Sequence, residues 1–178
     1  MWDKYQFNIK ITSHRKTKLG DYRYRPDGNT HLITINHDLN PYAFLMVYIH
    51  EVAHCVTCIN HGQRVKPHGS EWQEQMKQLA APLLDNNRLP SDLRLALLAY
   101  LKSPKAASCS SVALTRALRK YDPVSSLIPL EQLPEGTEFS FHSRRYRKIK
   151  HRRTRVTCKD THTHRTWLIP MLALVEPV

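Results

Sequence analysis

Residues 50 to 54 read His50-Glu51-Val52-Ala53-His54, two histidines four positions apart with a glutamate directly after the first. In an α-helix, residues four apart lie on one face, so both imidazoles can bind the same metal ion. Zinc lowers the pKa of a bound water to about 7, and a nearby carboxylate can accept the proton when that water attacks a carbonyl carbon. The pattern therefore predicts a zinc-dependent hydrolase with Glu51 as the general base.

The flanking sequence predicts that this motif lies deep inside a helix. Asn40 and Pro41 are typical of an N-cap and a first helical position, and Gly62 is typical of a helix end. Apolar residues lie between these signals, at Phe44, Leu45, Val47, Ile49, Val52, Val56 and Ile59. We therefore expect a helix of about 20 residues that holds both histidines on a rigid element.

A catalytic zinc site usually has three protein ligands and one open position, so the third ligand decides the class of enzyme. The metzincin pattern requires a glycine and a histidine at fixed positions after the motif. Thr57 and Asn60 occupy those two positions, and His61 is one residue out of register. The metzincin class is therefore excluded.

Two other kinds of third ligand remain compatible with the residues. Glu71 or Glu74 would act in a thermolysin-like arrangement, in which a glutamate comes from the next helix. His68 is the alternative, on a loop that enters that helix. Ser70 and Gln73 have the spacing of a capping box and predict where the helix begins.

The chain resembles the SprT-like zinc metallopeptidases, which include the Spartan and Wss-type proteases of DNA-protein crosslinks. The resemblance covers about residues 5 to 85. It rests on the order and spacing of five segments: Leu19-Gly20-Asp21-Tyr22-Arg23, Ile33-Thr34-Ile35-Asn36, Leu39-Asn40-Pro41, His50-Glu51-Val52-Ala53-His54 and His68-Gly69-Ser70-Glu71-Trp72. It implies that one catalytic Zn²⁺ is bound by His50, His54 and His68, with Glu51 as the general base. It also implies a zincin-like α+β fold.

Alternating polar and apolar residues predict a small, mainly antiparallel sheet before the motif helix. The predicted strands are Phe7–Thr12, Tyr22–Arg25 and His31–Asn36, with a tight turn at 26–29. We expect this sheet to pack on the helices. By the resemblance, an extended polypeptide substrate would bind along a sheet edge through backbone hydrogen bonds.

The rest of the chain predicts two further regions after a SprT-like domain at 1–102. Residues 103–124 combine a small, polar linker with a short helix, and residues 125–178 predict a small basic β module. The strands of this module are predicted at Thr137–Phe141, Tyr146–Ile149, Thr154–Cys158, Trp167–Ile169 and Leu172–Val175.

The β module carries most of the chain's net charge of +12. Ten lysines or arginines lie between Phe139 and Arg165, with Asp160 as the single acid. Such a cluster, interleaved with aromatic residues, is typical of a nucleic-acid interface, and a solvated basic face is the alternative. The candidate contacts are Arg144, Arg145, Arg147, Lys148, Lys150, Arg152, Arg153 and Arg155. We expect a nucleic-acid partner, with DNA favoured over RNA.

Cysteine usage bears on the compartment and on a second metal site. Without a signal peptide or a sufficiently long apolar run, we expect a cytoplasmic, possibly nucleoid-associated protein whose cysteines are thiols and which has no membrane partner. Many SprT proteins end in a zinc ribbon with two C-x-x-C pairs, but only Cys158 lies in this module. Cys158, His162 and His164 are a weak alternative metal site.

These observations lead to a functional prediction with one alternative. The chain is predicted to be a zinc metallopeptidase that acts on nucleic-acid-associated or DNA-crosslinked proteins. The alternative is a nucleic-acid-binding protein that uses an inactive zincin fold as a scaffold. Glu51 favours the peptidase, because a structural zinc site would have a fourth protein ligand and would not need this carboxylate.

Overall fold

The computed structural model describes residues 5–15, 17–85, 88–104 and 111–178. The chain has an α+β fold and divides into two compact units, Met1–Asp122 and Pro123–Val178. Most of the predicted linker, at 105–110, lies outside the described residues, as does Cys109.

The first unit begins with a three-stranded sheet of β1 (Asn8–Thr12), β2 (Gly20–Arg25) and β3 (Thr30–Asn36). The strand order is β1-β3-β2. β2 is antiparallel to β3, but β1 is parallel to it, so the sheet is mixed and the prediction of a mainly antiparallel sheet is corrected. The reason is that β2 joins the sheet on the far side of β3 from β1.

Four helices follow in the described part of this unit: α1 (Pro41–His61), α2 (Ser70–Leu84), α3 (Ser91–Leu101) and α4 (Val112–Arg119). The predicted start of α1 is confirmed, because the Asn40 side chain accepts hydrogen bonds from the amides of Tyr42 (3.0 Å) and Ala43 (2.9 Å). Its predicted end is also confirmed. Gly62 caps the helix with a φ of 76°, in the left-handed region that favours glycine.

Helix α1 lies between two hydrophobic clusters, which explains why it is apolar on most sides. Val52 and Val56 pack with Ile33 and Ile35 of the sheet. Met46, Ile49 and Ala53 belong to the second cluster, which extends into α2, α3 and α4. By length and composition alone α1 could cross a membrane, although 56% of its apolar window is buried inside the protein.

Helix α4 belongs to the first unit, whereas the sequence placed it in the linker region. Leu114 is fully buried in the cluster that also contains Leu93 and Leu97 of α3. The side-chain amide of Asn40 also donates a hydrogen bond to the backbone carbonyl of Leu118 (3.1 Å). This bond connects the end of α4 to the start of α1. The first unit therefore extends to Asp122 and not to residue 102.

The second unit is a six-stranded sheet in the order β4-β9-β5-β6-β7-β8. Each pair of neighbouring strands is antiparallel. The strands are β4 (Ile128–Pro129), β5 (Glu138–Phe141), β6 (Arg144–His151), β7 (Arg155–Asp160), β8 (Thr166–Pro170) and β9 (Leu174–Pro177). One side of this sheet is buried and carries Phe139, Tyr146, Val156 and Ile169. Successive residues of a strand point to opposite sides, so the charged residues between them lie on the other side.

Lys148 is buried in this second unit, with only 3% of its surface exposed. Its ammonium group donates to the backbone carbonyls of Leu130 (3.0 Å), Glu131 (3.1 Å) and Leu133 (2.6 Å). All three donors of the ammonium group are therefore used within the fold. Lys148 joins β6 to the 130–133 segment, and its prediction as a nucleic-acid contact is corrected.

We expect Lys148→Met to destabilise the second unit by about 2 to 4 kcal/mol, because it leaves buried carbonyl oxygens without a donor. Hydrogen exchange of the β6 and β7 amides in the full chain measures the stability of this unit. Lys150→Met is the matched control, since Lys150 lies two residues away on the same strand and is exposed. Equal protection in the two variants would contradict a structural role for Lys148.

Candidate metal centre and its surroundings

Three histidines converge at one point of the first unit. The Nε2 atoms of His50 and His54 are 3.2 Å apart, those of His54 and His68 are 2.9 Å apart, and those of His50 and His68 are 3.2 Å apart. Among the described residues, this is the one group of histidine, cysteine and acidic side chains with the geometry to hold a metal ion. The histidines that the sequence predicted as ligands therefore meet.

Each histidine is positioned by its backbone. His50 and His54 are one turn apart on α1, whereas His68 lies in the loop before α2 with a φ of 59°. The Gly69 amide donates to the Lys66 carbonyl (2.9 Å), which closes a turn around His68. The side-chain amide of Gln73 donates to the His68 carbonyl (3.3 Å) and ties the loop to α2.

The predicted capping box at the start of α2 is wrong. Gly69 is the N-cap, and the cap has no side-chain hydrogen bond. The Ser70 hydroxyl donates instead to the Glu71 carboxylate (3.1 Å). Gln73 is used to hold the His68 loop, so the two residues that suggested a cap have other partners.

Trp72 packs against all three imidazoles and is fully buried. Its ring centroid lies 4.8 Å from that of His50, 5.4 Å from that of His54 and 4.7 Å from that of His68. The indole therefore limits the rotation of each ring and excludes water from one side of the site. The sequence analysis did not predict this role of Trp72. The signal for it was that Trp72 follows His68 by four residues, across the start of α2.

The site residues have pKa values that suit metal binding. Burial and the neighbouring histidines lower the pKa of His50 to about 4 and that of His54 to about 3. Burial also lowers the pKa of His68. All three rings are therefore neutral at pH 7, and a neutral imidazole has a free lone pair for a metal ion.

Glu51 is buried beside β2, and 7% of its surface is exposed. Burial, together with the nearby Asp21 carboxylate, raises the pKa of Glu51 to about 7. The Arg15 guanidinium and a hydrogen bond from the Tyr22 backbone amide act in the opposite direction. A carboxyl group with a pKa near neutrality can both accept and return a proton at pH 7.

A cavity of about 240 Å³ opens beside the histidines. His54, His68 and Trp72 form the wall nearest the metal centre, and Tyr22 and Val65 contribute to the remaining walls. The Tyr22 ring is parallel to the His54 ring at 6.5 Å, and its hydroxyl bonds to Nδ1 of His31 (2.7 Å). The cavity therefore offers mainly apolar and aromatic surface next to the metal centre.

The alternative third ligands have other partners. Glu71 interacts with Ser70, and Glu74 accepts a hydrogen bond from Gln78 (2.9 Å). Neither glutamate belongs to the metal-binding group found among the described residues. The same holds for the alternative site in the second unit, where Cys158 is buried and its thiol donates to the Val156 carbonyl.

The candidate nucleic-acid contacts fall into several groups in the second unit. Pairing register and exposure put six basic side chains on the outward side of β6 and β7, and we call this surface the basic face: Arg145, Arg147, Lys150, Arg152, Arg155 and Lys159. Arg144 lies over the Trp167 ring at 5.8 Å, and Arg153 is exposed in the turn before β7. Lys159 is a member that sequence reasoning left out of the candidate contacts.

The sequence profile of the SprT-like family matches residues 2–93, just over half of the chain. No curated protein matches the chain, and no solved structure matches it. The matched region contains the three converging histidines and Glu51. The family is generally associated with metallopeptidase activity. The chain belongs to the SprT-like family.

Proposed function

We propose that this protein is a zinc-dependent peptidase with a zincin-type active site. The observation that carries the proposal is the convergence of three histidine Nε2 atoms on one point, with Glu51 buried directly after the first of these histidines on α1. Family membership supports it, because the SprT-like family is associated with this activity. A three-histidine set also leaves a coordination position open, as in catalytic zinc sites.

The donor atoms fit a zinc ion. Tetrahedral zinc with Zn–N bonds of about 2.0 to 2.1 Å requires ligand nitrogens about 3.3 Å apart. The three observed separations, between 2.9 and 3.2 Å, are close to this value. Neutral imidazoles are preferred ligands for zinc, so His50, His54 and His68 would hold the ion. When bound, zinc would polarise the substrate carbonyl and make water more acidic.

The chain's own residues would supply the remaining chemistry. A carboxylate oxygen of Glu51 would accept a proton from the water that attacks the peptide carbonyl, and the same group would return a proton to the leaving amine. Trp72 packs against the three imidazoles and restricts their rotation. The cavity beside His54 would receive an apolar side chain of the substrate.

The test is cleavage of a DNA-bound protein by metal-free and zinc-reconstituted protein. We expect cleavage only after zinc is restored and loss of cleavage after chelation. The absence of cleavage under all conditions, with and without DNA, would overturn the peptidase proposal. It would favour the alternative, a nucleic-acid-binding protein that uses the zinc fold as a scaffold.

We further propose that the basic face of the second unit binds nucleic acid and brings the peptidase to proteins bound or crosslinked there. Three residues of this face, Arg145, Lys150 and Lys159, form no ion pair with a carboxylate within the described structure. Arg147 pairs with Glu138 at 2.7 Å and is partly neutralised. Clustered cations without acidic partners favour phosphate contacts through counterion release.

We expect replacement of Arg145, Lys150 and Lys159 by alanine to weaken DNA binding and to reduce the slope of log K against log[salt] by about 2 to 3, since each phosphate contact contributes about 0.9. Fluorescence anisotropy with a labelled oligonucleotide at several salt concentrations measures both quantities. A matched control replaces Lys77, Arg88 and Lys102, three exposed cations of the first unit. If both triple variants lose the same slope, net charge alone explains the binding.

A further inference from the structure

Strand β2 passes so close to Glu51 that one of its residues has no room for a side chain. A Cβ atom on Gly20 would lie 2.7 Å from Oε1 of Glu51 and 2.9 Å from its Cγ. It would also lie 2.5 Å from Cγ1 of Val47, one turn earlier on α1. All three distances are below those found for real Cβ contacts, so any side chain at position 20 must displace a neighbour.

Of these neighbours, the Glu51 carboxyl group can move with the least change to the fold. Val47 is β-branched, nearly buried and held in the core on a helix. The end of the Glu51 side chain instead rotates about flexible torsions. An added methyl group at position 20 would therefore move the carboxyl group, while its 2.5 Å approach to Cγ1 of Val47 is a second conflict that a shift of Glu51 does not relieve.

A second residue of strand β2 also acts on the Glu51 carboxyl group. Two residues after Gly20, the backbone amide of Tyr22 acts on the Glu51 carboxyl group and favours its charged form. Gly20 allows the strand to lie close to the carboxyl group, because it has no side chain in the space that the carboxyl group fills. These two contacts act on Glu51 and on none of the three metal-binding side chains.

The segment that leads into β2 is itself fixed, so the strand cannot retreat from Glu51. Arg15 donates to the side chains of Asn36 (2.7 Å) and Thr34 (2.9 Å) on β3. Asn36 is fully buried, and its amide donates to the carbonyls of Arg15 (3.3 Å) and Lys18 (3.2 Å). The backbone amide of Asn36 also donates to the Leu19 carbonyl (2.9 Å), directly before Gly20.

We propose that Gly20 is the positioning element for the general base, because the Glu51 carboxyl group occupies the space that a side chain at position 20 would need. This inference rests on the proposed role of Glu51. It predicts that different elements of the fold position the metal ligands and the general base. Loop 66–69 and helix α1 arrange the metal ligands, while strand β2 arranges the base.

The test is Gly20→Ala in the full-length, zinc-loaded protein. Misplacing a catalytic group by about 1 Å can cost about 100-fold in rate, so we expect kcat to fall about 100-fold with little change in KM or zinc affinity. Gly28→Ala is the matched control, because a Cβ at Gly28 would meet nothing nearer than 3.5 Å. Full kcat in Gly20→Ala would overturn the inference.

Val47→Ala separates the two conflicts of a Cβ atom added at position 20, one with Val47 and one with Glu51. It removes Cγ1, so the variant that combines it with Gly20→Ala retains only the conflict with Glu51. We expect the combined variant to remain about 100-fold below Val47→Ala alone. Recovery of kcat to the Val47→Ala level would overturn the inference, because the defect would then come from helix packing. Loss of zinc by Gly20→Ala in proportion to lost rate would also overturn it.

A readout that needs no activity keeps this test independent of the proposed function. In metal-free protein, the NMR amide proton of Tyr22 reports the position of the Glu51 carboxyl group, which interacts with this amide. Gly20→Ala and Glu51→Ala should each shift this resonance upfield, and their combination should shift it no further. Additive shifts would overturn the positioning role. A wild type that cleaves nothing but shows non-additive shifts would contradict the peptidase proposal alone.

Discussion

Glu51→Gln is expected to lower kcat for peptide hydrolysis by about 10³-fold or more while zinc remains bound. General base catalysis contributes about 10² to 10⁴-fold. Glutamine has nearly the same size and shape, so it fits beside Gly20. It cannot accept a proton from water, which isolates the chemical role of Glu51.

Steady-state kinetics with a DNA-bound protein substrate, together with the zinc content of each preparation, measures this effect. Glu74→Gln is the matched control, because Glu74 is exposed on α2 and interacts with Gln78. Equal cleavage by the wild type and Glu51→Gln would mean that another group, or a contaminating protease, performs the reaction.

His68→Ala is expected to lower zinc affinity by more than about 100-fold. Loss of an indirect contact to a metal ligand already costs about 10 to 100-fold, and His68 is one of only three direct donors. His50 and His54 would remain on α1, but two ligands bind zinc weakly. Competition with a chromogenic chelator measures the affinity without any peptidase assay.

His61→Ala provides the control for this second prediction. His61 lies on the last turn of α1 and is exposed, so its removal should leave zinc affinity unchanged. Glu71→Gln tests the thermolysin-like alternative in the same assay. Retained affinity in His68→Ala, with lost affinity in Glu71→Gln, would replace the three-histidine site with one that uses a glutamate.

The helix that carries the motif was predictable because its signals are local. Asn40, Pro41 and Gly62 determine its ends through contacts with residues a few positions away, and the spacing of His50 and His54 is determined by the helix itself. The strands were predictable from alternation for the same reason. Their arrangement was not, because the parallel pairing of β1 with β3 depends on where the 13–19 connection leads the chain.

The third ligand shows where local reasoning ends. From the residues alone, His68, Glu71 and Glu74 were all compatible, and only resemblance to a family favoured His68. The structure brings the imidazole of His68 within 3.2 Å of the other two because α2 packs on α1 and the turn at 66–69 has a left-handed residue. Such packing depends on residues distant in sequence.

Lys148 shows the opposite case, in which a pattern misled. Charge density placed it among the candidate nucleic-acid contacts, since its neighbours on β6 are basic. Strand alternation directs it to the buried side, where three backbone carbonyls receive its donors. Those carbonyls belong to a segment 15 to 18 residues earlier, so the sequence around Lys148 gives no sign of them.

The sequence by itself determined the motif helix, its ends, the identity of Glu51 as the candidate base and the concentration of charge in the second unit. These follow from spacing, capping and composition, which act over a few residues. Only the tertiary structure decided the convergence of His68 with the α1 histidines, the packing of Trp72 and the contact of Gly20 with Glu51. Each of these joins segments that meet only when helices and sheet pack around a common core.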